Sequence, residues 1–446
     1  MLAIGFLPQH QDRDGFLQGI DDPGPATTLG KLGDLALSSL ISTIVPREAS
    51  ALWHGGTIMA QVKIQLDEIL GYFDALEDPR SDINRKYPLV SVVVIAMMAV
   101  LAGAGGPTAI ARWANFPDRK KRLAEWLDLP EGNVPCKDVF RRVLCLVQPA
   151  AFQECFVQWL QLLRAQAAAA TGVEQPVLAV DGKTLRRSHD RKKNLGTLHS
   201  VSVWASEFGL SLGQTVCAEK SNEITAIPEL LRLVDIQGTI ITIDAMGTQK
   251  AIAAQIVDGR ADYLLAVKGN QETLERGLVQ HIDQHLDSDF AHAQARRHVT
   301  VEKGHGRAEV RTYVQMPVPD DLPEREKWKG LRTIGMATLV CQRDGHETSE
   351  VRYFISSLPM GVKCFARAVR SHWGIENSCH WSLDMTYRED ESRLRERHVA
   401  ENFAWLNRFT LSLLKQHPKK DSIAMKRRAC GWSDNFLLEV LAGTEG

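Results

Sequence analysis

A chain of 446 residues, 44% hydrophobic and 24% charged, holds enough apolar material for several cores, about three domains by length, and is neither wholly disordered nor a coiled coil. Its 53 basic residues stand against 54 acidic ones, a formal net charge of −1, so a nucleic-acid or membrane partner has to be argued from local patches. Eight scattered cysteines with no CxxC pair read as reduced thiols of a cytoplasmic protein, and exclude a disulfide framework or a zinc ribbon.

Residues 1 to about 60 are rich in Gly, Pro, Asp and Ser, with three basic residues (Arg13, Lys31, Arg47) against six acidic ones (Asp12, Asp14, Asp21, Asp22, Asp34, Glu48). This pattern predicts a poorly ordered acidic tail. The first residues lack the basic start and continuous apolar core of a secretory signal. Helical patterning begins just after Met59, which makes Met59 a candidate native start, to be decided by intact-mass measurement on natively expressed protein.

From 61 to 171 the pattern predicts an all-helical domain, with Pro88, Pro107, Pro117, Pro130, Pro135 and Pro149 at helix boundaries, whose basic residues read equally as a DNA-binding surface or as a solvated face. Its expected surface carries Arg112, Trp113, Arg119, Lys120, Lys121, Arg122, Arg141 and Arg142. The apolar run from 89 to 104 falls short of the ~20 residues that span a bilayer, so it reads as a buried helix and no membrane partner is expected.

After Gly172 the pattern turns to strands. VLAV (177 to 180), TIITI (239 to 243) and DYLLAV (262 to 267) are short apolar runs of the kind buried on both faces of a sheet. LHSVSVWA and LSLGQTVC flank the turn SEFG as a hairpin, and helical stretches separate the later strands. A second strand-rich block occupies 296 to 357 before a helical pattern resumes at 363 and runs to about 416. The expected fold is α/β: a mixed sheet over 172 to 416 with a β insertion placed before its last helix. A basic segment, 417 to 446, follows.

Asp181 follows VLAV and Asp244 follows TIITI, so both acids stand at carboxyl ends of buried strands, where open α/β sheets bind ligands. In SHWGIENSCHWSLDMTYRED, His372, Glu376, His380 and Asp384 recur every fourth residue on one helical face, flanked by Trp373 and Trp381. A zinc site on His372, Glu376 and His380 would stretch too far along the helix axis for one tetrahedral ion. The better reading joins Glu376 to Asp181 and Asp244 as a hard oxygen site for Mg²⁺, with Mn²⁺ as substitute. Two such ions about 4 Å apart suit in-line phosphoryl displacement. Paired acids also serve glycoside hydrolysis, but Lys183, Arg186, Arg187, Arg191, Lys192 and Lys193 directly after Asp181 favour a polyanion. Lys268 after the third strand, and Lys415, Lys419, Lys420, Lys426, Arg427 and Arg428 near the C-terminus, extend a phosphate-tracking surface.

These motifs resemble those of DDE transposases of bacterial insertion sequences, in the H-repeat-associated branch. AVDGKTLRRS, TIDAMGTQKAIAAQIVDGRADYLLAVKGNQ and SHWGIENSCHWSLDMTYRED carry the likeness around the three acids, and LEDPRSDINRKYPL through LAGAGGPTAIARWA carries it in the helical region, over about 65 to 416 in all. The resemblance implies an RNase H-like core with Asp181, Asp244 and Glu376 as catalytic metal ligands for two ions, cutting of element ends, and strand transfer. It implies double-stranded DNA as partner, a homodimer in the DNA complex, and a cytoplasmic, nucleoid-associated protein. His372, Trp373, His380, Trp381 and Arg388 join Lys183, Arg186, Arg187, Arg191, Lys192, Lys193 and Lys268 as expected DNA contacts. Related enzymes carry a tyrosine, arginine, glutamate and lysine signature, whereas this chain has Val369, His372 and Leu383 at the places other than Glu376. His372, Arg370 and Arg388 are the candidates to replace the missing cations. A catalytically silent DNA-binding remnant and a structure-specific nuclease on the same core are the rival readings.

Overall fold

The structure is a computed structural model that describes residues 67 to 442, apart from 128, 190 to 195, 218 to 222, 287, 289, 292 and 305. The expected acidic tail lies outside the described residues, as do Arg191, Lys192 and Lys193. Residues 60 to 446 form one compact unit.

After a helical stretch at 67 to 71, five helices follow: α1 (Leu89–Leu101), α2 (Pro107–Ala114), α3 (Pro117–Trp126), α4 (Lys137–Leu146) and α5 (Pro149–Thr171). Proline occupies the first turn of α2, α3 and α5, where its missing N–H costs no intrahelical bond. Gly172, at φ 65°, ends α5 in the left-handed conformation that glycine tolerates. α1 is apolar on every side because every side is covered: twelve of its 13 residues are buried, among α2, α4 and the C-terminal helices. Among the described residues no single helix is long and apolar enough to cross a membrane.

The C-terminal helices are α11 (Arg397–Gln416), α12 (Ile423–Trp432) and α13 (Asp434–Ala442), and they share the core of the first five. Phe156 of α5 and Phe409 of α11 meet with ring centroids 4.3 Å apart. Asn402 of α11 donates its amide to the Leu144 and Val147 carbonyls, each at 2.9 Å, and so satisfies the end of α4. The expected helical region and the segment after 416 therefore pack as one body with the sheet.

Nine strands make one mixed sheet in the order β3-β2-β1-β4-β5-β9-β8-β7-β6. β1 (Val177–Leu185), β2 (Leu198–Ala205) and β3 (Leu210–Cys217) run antiparallel in sequence, while β4 (Ile240–Ile243) and β5 (Asp262–Val267) lie parallel to β1. The block at 296 to 357 supplies β6 (Arg296–Gly304), β7 (Arg307–Pro317), β8 (Thr333–Arg343) and β9 (His346–Ser356). β9 pairs antiparallel with β5, so the insertion continues the sheet instead of forming a body of its own. α6 (Glu223–Leu233), α7 (Lys250–Asp258) and α8 (Glu272–Leu286) connect the strands.

α9 (Val362–Gly374) lies on one sheet face, packing Phe365, Ala368 and Val369 against Val177, Ile240, Leu264, Tyr313 and Phe354. Gly335 of β8 makes the approach possible, since a Cβ there would fall 2.4 Å from the Phe365 ring. The helix then passes through a π-helical turn, Ile375–His380, into α10 (Trp381–Met385).

Candidate active site

Parallel pairing sets two acids side by side. Val180 of β1 is registered with Ile243 of β4, so the next residues, Asp181 and Asp244, stand side by side past the last parallel pair; Asp244 leaves the end of β4, whereas Asp181, expected at a strand end, lies mid-strand because β1 runs on to Leu185 paired with β2. Asp181 accepts a hydrogen bond from the Gly182 N–H at 2.8 Å, and Asp244 accepts one from the Gly247 N–H at 3.2 Å.

The helix above them delivers four polar residues in turn. His372 Nδ1 lies 3.0 Å from Thr242 Oγ1 at the end of β4. Glu376 lines a cavity of about 310 Å³ together with Asp244, Lys268, Arg352, His372 and Trp373. His380 Nδ1 stands 3.5 Å from Asp181 Oδ2, and Asp384 Oδ1 stands 2.7 Å from Lys183 Nζ. In an unbroken α-helix a four-residue step over-rotates by roughly 40°, and three such steps would carry Asp384 well off the sheet. The π segment, bonded i→i+5, turns less per residue and so works against that drift.

The electrostatics follow from burial and crowding. Burial raises the Asp181 carboxyl to about 7, against the Gly182 hydrogen bond, and the charges of Asp244, Glu376 and Glu223 push in the same direction as burial. Burial likewise holds His380 down to about 3 and His372 down to about 4, with Arg352 adding to the effect on His372. The His380 contact to Asp181 is therefore made by a neutral imidazole, not by an ion pair. On the opposite face of β1, Thr184 Oγ1 lies 2.8 Å from His199 Nδ1, and His199 Nε2 lies 2.5 Å from Glu223 Oε1. This buried pair presses on Gly182, where a Cβ would meet Glu223 Oε1 at 2.4 Å and His199 Nε2 at 2.5 Å, so only glycine fits beside Asp181.

Three carboxylates, one of them a buried Asp181 whose charge is costly beside the others, are a fitting donor set for a hard divalent cation, which would supply the missing positive charge. Among the described residues no three His, Cys, Asp or Glu side chains close on one point as a complete metal cage. Mg²⁺ commonly takes one or two carboxylates and completes its shell with water and phosphate oxygens, so an open arrangement suits it better than an enclosed one would.

Several expected DNA contacts have other partners. Lys183 is 7% exposed, held by Asp384, by Asp390 at 3.2 Å and by Glu389 at 3.9 Å, and Glu389 in turn pairs with the fully buried Arg408. Its charge is consumed inside the fold, which removes it from the DNA-binding set. Lys183→Ala is expected to cost about 3 kcal/mol in urea unfolding, because three acids lose their common cation, while leaving DNA affinity as it was. His372 and His380, being neutral, offer no cation to a phosphate. Trp373 lies under two guanidinium groups, Arg352 at 5.0 Å and Arg311 at 5.7 Å, a setting for cation–π packing rather than for a displaced base.

The C-terminal cluster is corrected in the same sense. Lys426 donates to the Leu414 and His417 carbonyls and Arg427 to the Val100 carbonyl, so both are buried caps on the ends of α11 and α1. Lys415 donates to Ser378 Oγ at 2.7 Å, whereas Lys419, Lys420 and Arg428 are exposed. In the helical region Arg119 and Arg122 converge on Asp434, and Arg119 lies 4.5 Å from the Trp113 ring. Arg186, Arg187, Lys268 and Arg388 are exposed, Arg186 beside Asp390 and Arg388 beside Glu391. Trp381 is 58% exposed.

Sequence reasoning missed Arg352 and Glu223. Arg352 sits in an ordinary alternating strand, and only the pairing of β9 with β5 brings it beside Lys268. Glu223 opens a helix and reads as a first-turn acid.

The profile of the family described as "Transposase DDE domain" matches residues 173 to 414, and that described as "DDE_Tnp_1-associated" matches 70 to 160. The chain is 36% identical over 388 residues to "Putative transposase YncI" of Escherichia coli O157:H7, covering 85% of this chain and 95% of the relative. It is 33% identical over 390 residues to "H repeat-associated putative transposase YhhI" of Escherichia coli K12, covering 85% of this chain and 99% of the relative. A solved piggyBac transposase synaptic complex with hairpin DNA aligns at 12% identity and a TM-score of 0.35, over 86% of this chain and 79% of that one, too distant to inform the fold. The profile match across both strand motifs and the helix of Glu376, together with relatives matched over nearly their whole length, makes this chain a member of the DDE transposase family.

Proposed function

We propose that the protein is a cytoplasmic, nucleoid-associated transposase that cuts the ends of its insertion sequence and transfers the resulting 3′-hydroxyl strand to target DNA, using Asp181, Asp244 and Glu376 on an RNase H-like core. The strand order β3-β2-β1-β4-β5, with the first three antiparallel and β4 and β5 parallel to β1, supports that core. The observation that carries the proposal is the strand register that sets Asp181 beside Asp244, with Glu376 of the π turn lining the same cavity as Asp244, and with the Asp181 carboxyl raised first by burial and further by the charges of Asp244 and Glu376.

Two divalent ions, Mg²⁺ or Mn²⁺, held by Asp181, Asp244 and Glu376 would make the attacking water acidic enough to ionise and stabilise the leaving oxygen. The chain's own residues do the rest. The Gly182 and Gly247 amides fix the rotamers of Asp181 and Asp244, and the neutral His380 ring packs against Asp181 without cancelling its charge. Lys268, Arg186 and Arg187 hold phosphates of the double-stranded substrate, with Arg388 at the rim. Trp381 offers an exposed face for a base displaced near the cut. Two ends have to be cut and joined together, so the DNA complex is read as a homodimer.

A supercoiled plasmid carrying the DNA that flanks this gene tests the reading. Incubation with Mg²⁺ or Mn²⁺ is expected to give nicked and linear products with ends mapping to the flanking repeats. Binding without nicking in either ion would make the protein a silent occupant of element ends. Equal cutting of unrelated duplex would make it a structure-specific nuclease.

A further inference from the structure

We infer that Arg352, brought to the site by the last strand of the insertion, is the phosphate-positioning residue of the cleavage cavity, taking the role for which the helix bearing Glu376 has no cation; the inference rests on the DNA-cleaving function proposed above.

The cavity of about 310 Å³ is lined by two of the three acids, Asp244 and Glu376, and by two cations, Lys268 and Arg352. A phosphodiester entering it needs positive charge opposite the carboxylates, and the helix does not supply it. His372 is held down to about 4 and engages Thr242, and Val369, also lining the cavity, is apolar. Arg370 points to Glu302 of β6 at 3.2 Å and does not line the cavity, whereas Arg352, though paired with Glu350, does.

Strand register solves the problem. β5 and β9 pair Ala266 with Phe354 and Val267 with Tyr353, and one step further the two strands carry Lys268 and Arg352. Both residues share the sheet face of Ala266 and Phe354, the face that α9 covers and that the cavity opens on. The Arg352 guanidinium is fixed on two sides: Nε donates to Glu350 Oε1 at 2.7 Å, and the group lies 5.0 Å from the Trp373 ring. Trp373 is itself set by Arg311, 5% exposed and paired with Glu302 on the neighbouring strand β6 and with Glu309 on its own strand β7. A guanidinium ordered in this way gives up little conformational freedom on meeting a phosphate and presents a planar fork, which a lysine cannot reproduce. The insertion thus completes the site, and Trp373 acts as the platform for an arginine.

The competing account is that Arg352 only ties the insertion to α9 through Trp373. Full-length Arg352→Gln and Arg352→Lys separate the two, with a 30-base-pair fluorescein-labelled duplex of arbitrary sequence in EDTA as the binding probe and the plasmid above as the cleavage substrate. For Arg352→Gln the slope of log affinity against log salt is expected to fall by about one, and nicking to slow by roughly 100-fold, with the melting temperature unchanged. Arg352→Lys keeps the charge, so its slope is expected to match wild type while nicking slows by roughly 10-fold because the fork is lost. An unchanged slope in Arg352→Gln overturns the inference, whether nicking is unchanged or falls together with the melting temperature. If Arg352→Gln does not fold, wild-type nicking by Arg352→Lys overturns it. A wild-type protein that nicks nothing in either ion fails the functional reading instead, and the salt slope then still decides whether Arg352 meets a phosphate.

Discussion

Asp244→Asn is expected to lower the rate of DNA nicking by at least roughly 1000-fold, about 4 kcal/mol of transition-state stabilisation, while duplex binding in EDTA stays equal to wild type or tightens. The change is isosteric, and asparagine still accepts from the Gly247 amide that now fixes the carboxylate. What disappears is one negative charge beside Asp181. For substrate binding that loss is neutral or favourable, because a polyanion no longer approaches an additional carboxylate. For chemistry, on the proposed reading, it exchanges one of three carboxylates for a neutral amide oxygen, so the cation that would activate water and steady the leaving oxygen would be held more weakly. Glu376→Gln is expected to behave in the same way from the helix side. The measurement is a pair of titrations on one preparation, duplex affinity by fluorescence anisotropy and plasmid nicking against cation concentration. Loss of binding with intact cleavage of whatever DNA remains bound would refute the assignment of Asp244.

The placement of the three acids was readable because each stands where local pattern has a geometric consequence. An apolar run of four or five residues that ends in aspartate puts Asp244 at the end of β4, and puts Asp181 beside it although β1 runs on to Leu185; a four-residue polar recurrence puts Glu376 on one helix face. The π turn was not readable, since one hydrogen bond reaching a residue further leaves no mark in composition. Nor was the fate of Lys183, whose acidic partners Asp384, Glu389 and Asp390 lie some two hundred residues away in sequence. In the KTLRRS run it looks like a DNA contact, and only tertiary packing shows the charge already satisfied. Lys426 and Arg427 mislead for the same reason, their partners being main-chain carbonyls at the ends of helices. The strands of the insertion announced themselves by alternation, but the pairing of β9 with β5 did not, and Arg352 enters the site through that pairing alone.

The burial of Asp181 among other acids has a second consequence, in stability. Asp181 ionises near 3.8 in an unfolded chain and at about 7 in the folded one, a difference worth roughly 4 kcal/mol as an upper bound. Between those values the folded protein holds a proton that the unfolded chain has released, so stability falls as pH rises from about 4 to about 7 and is level above that. Asp181→Asn removes the ionisation and keeps an oxygen for the Gly182 amide. In EDTA the variant is therefore expected to match wild type near pH 3.5 and to exceed it at pH 8 by up to about 4 kcal/mol in urea unfolding. Added Mn²⁺ should close the gap from the wild-type side only, because a ligand bound by the folded carboxylates stabilises them in proportion to its occupancy. A variant no more stable than wild type at pH 8 in EDTA would mean that Asp181 carries its charge at no cost, and the electrostatic case for a cation between the three acids would go with it. A gap that Mn²⁺ closes would show that the fold gives up stability at this point and that a cation restores it, with no appeal to catalysis.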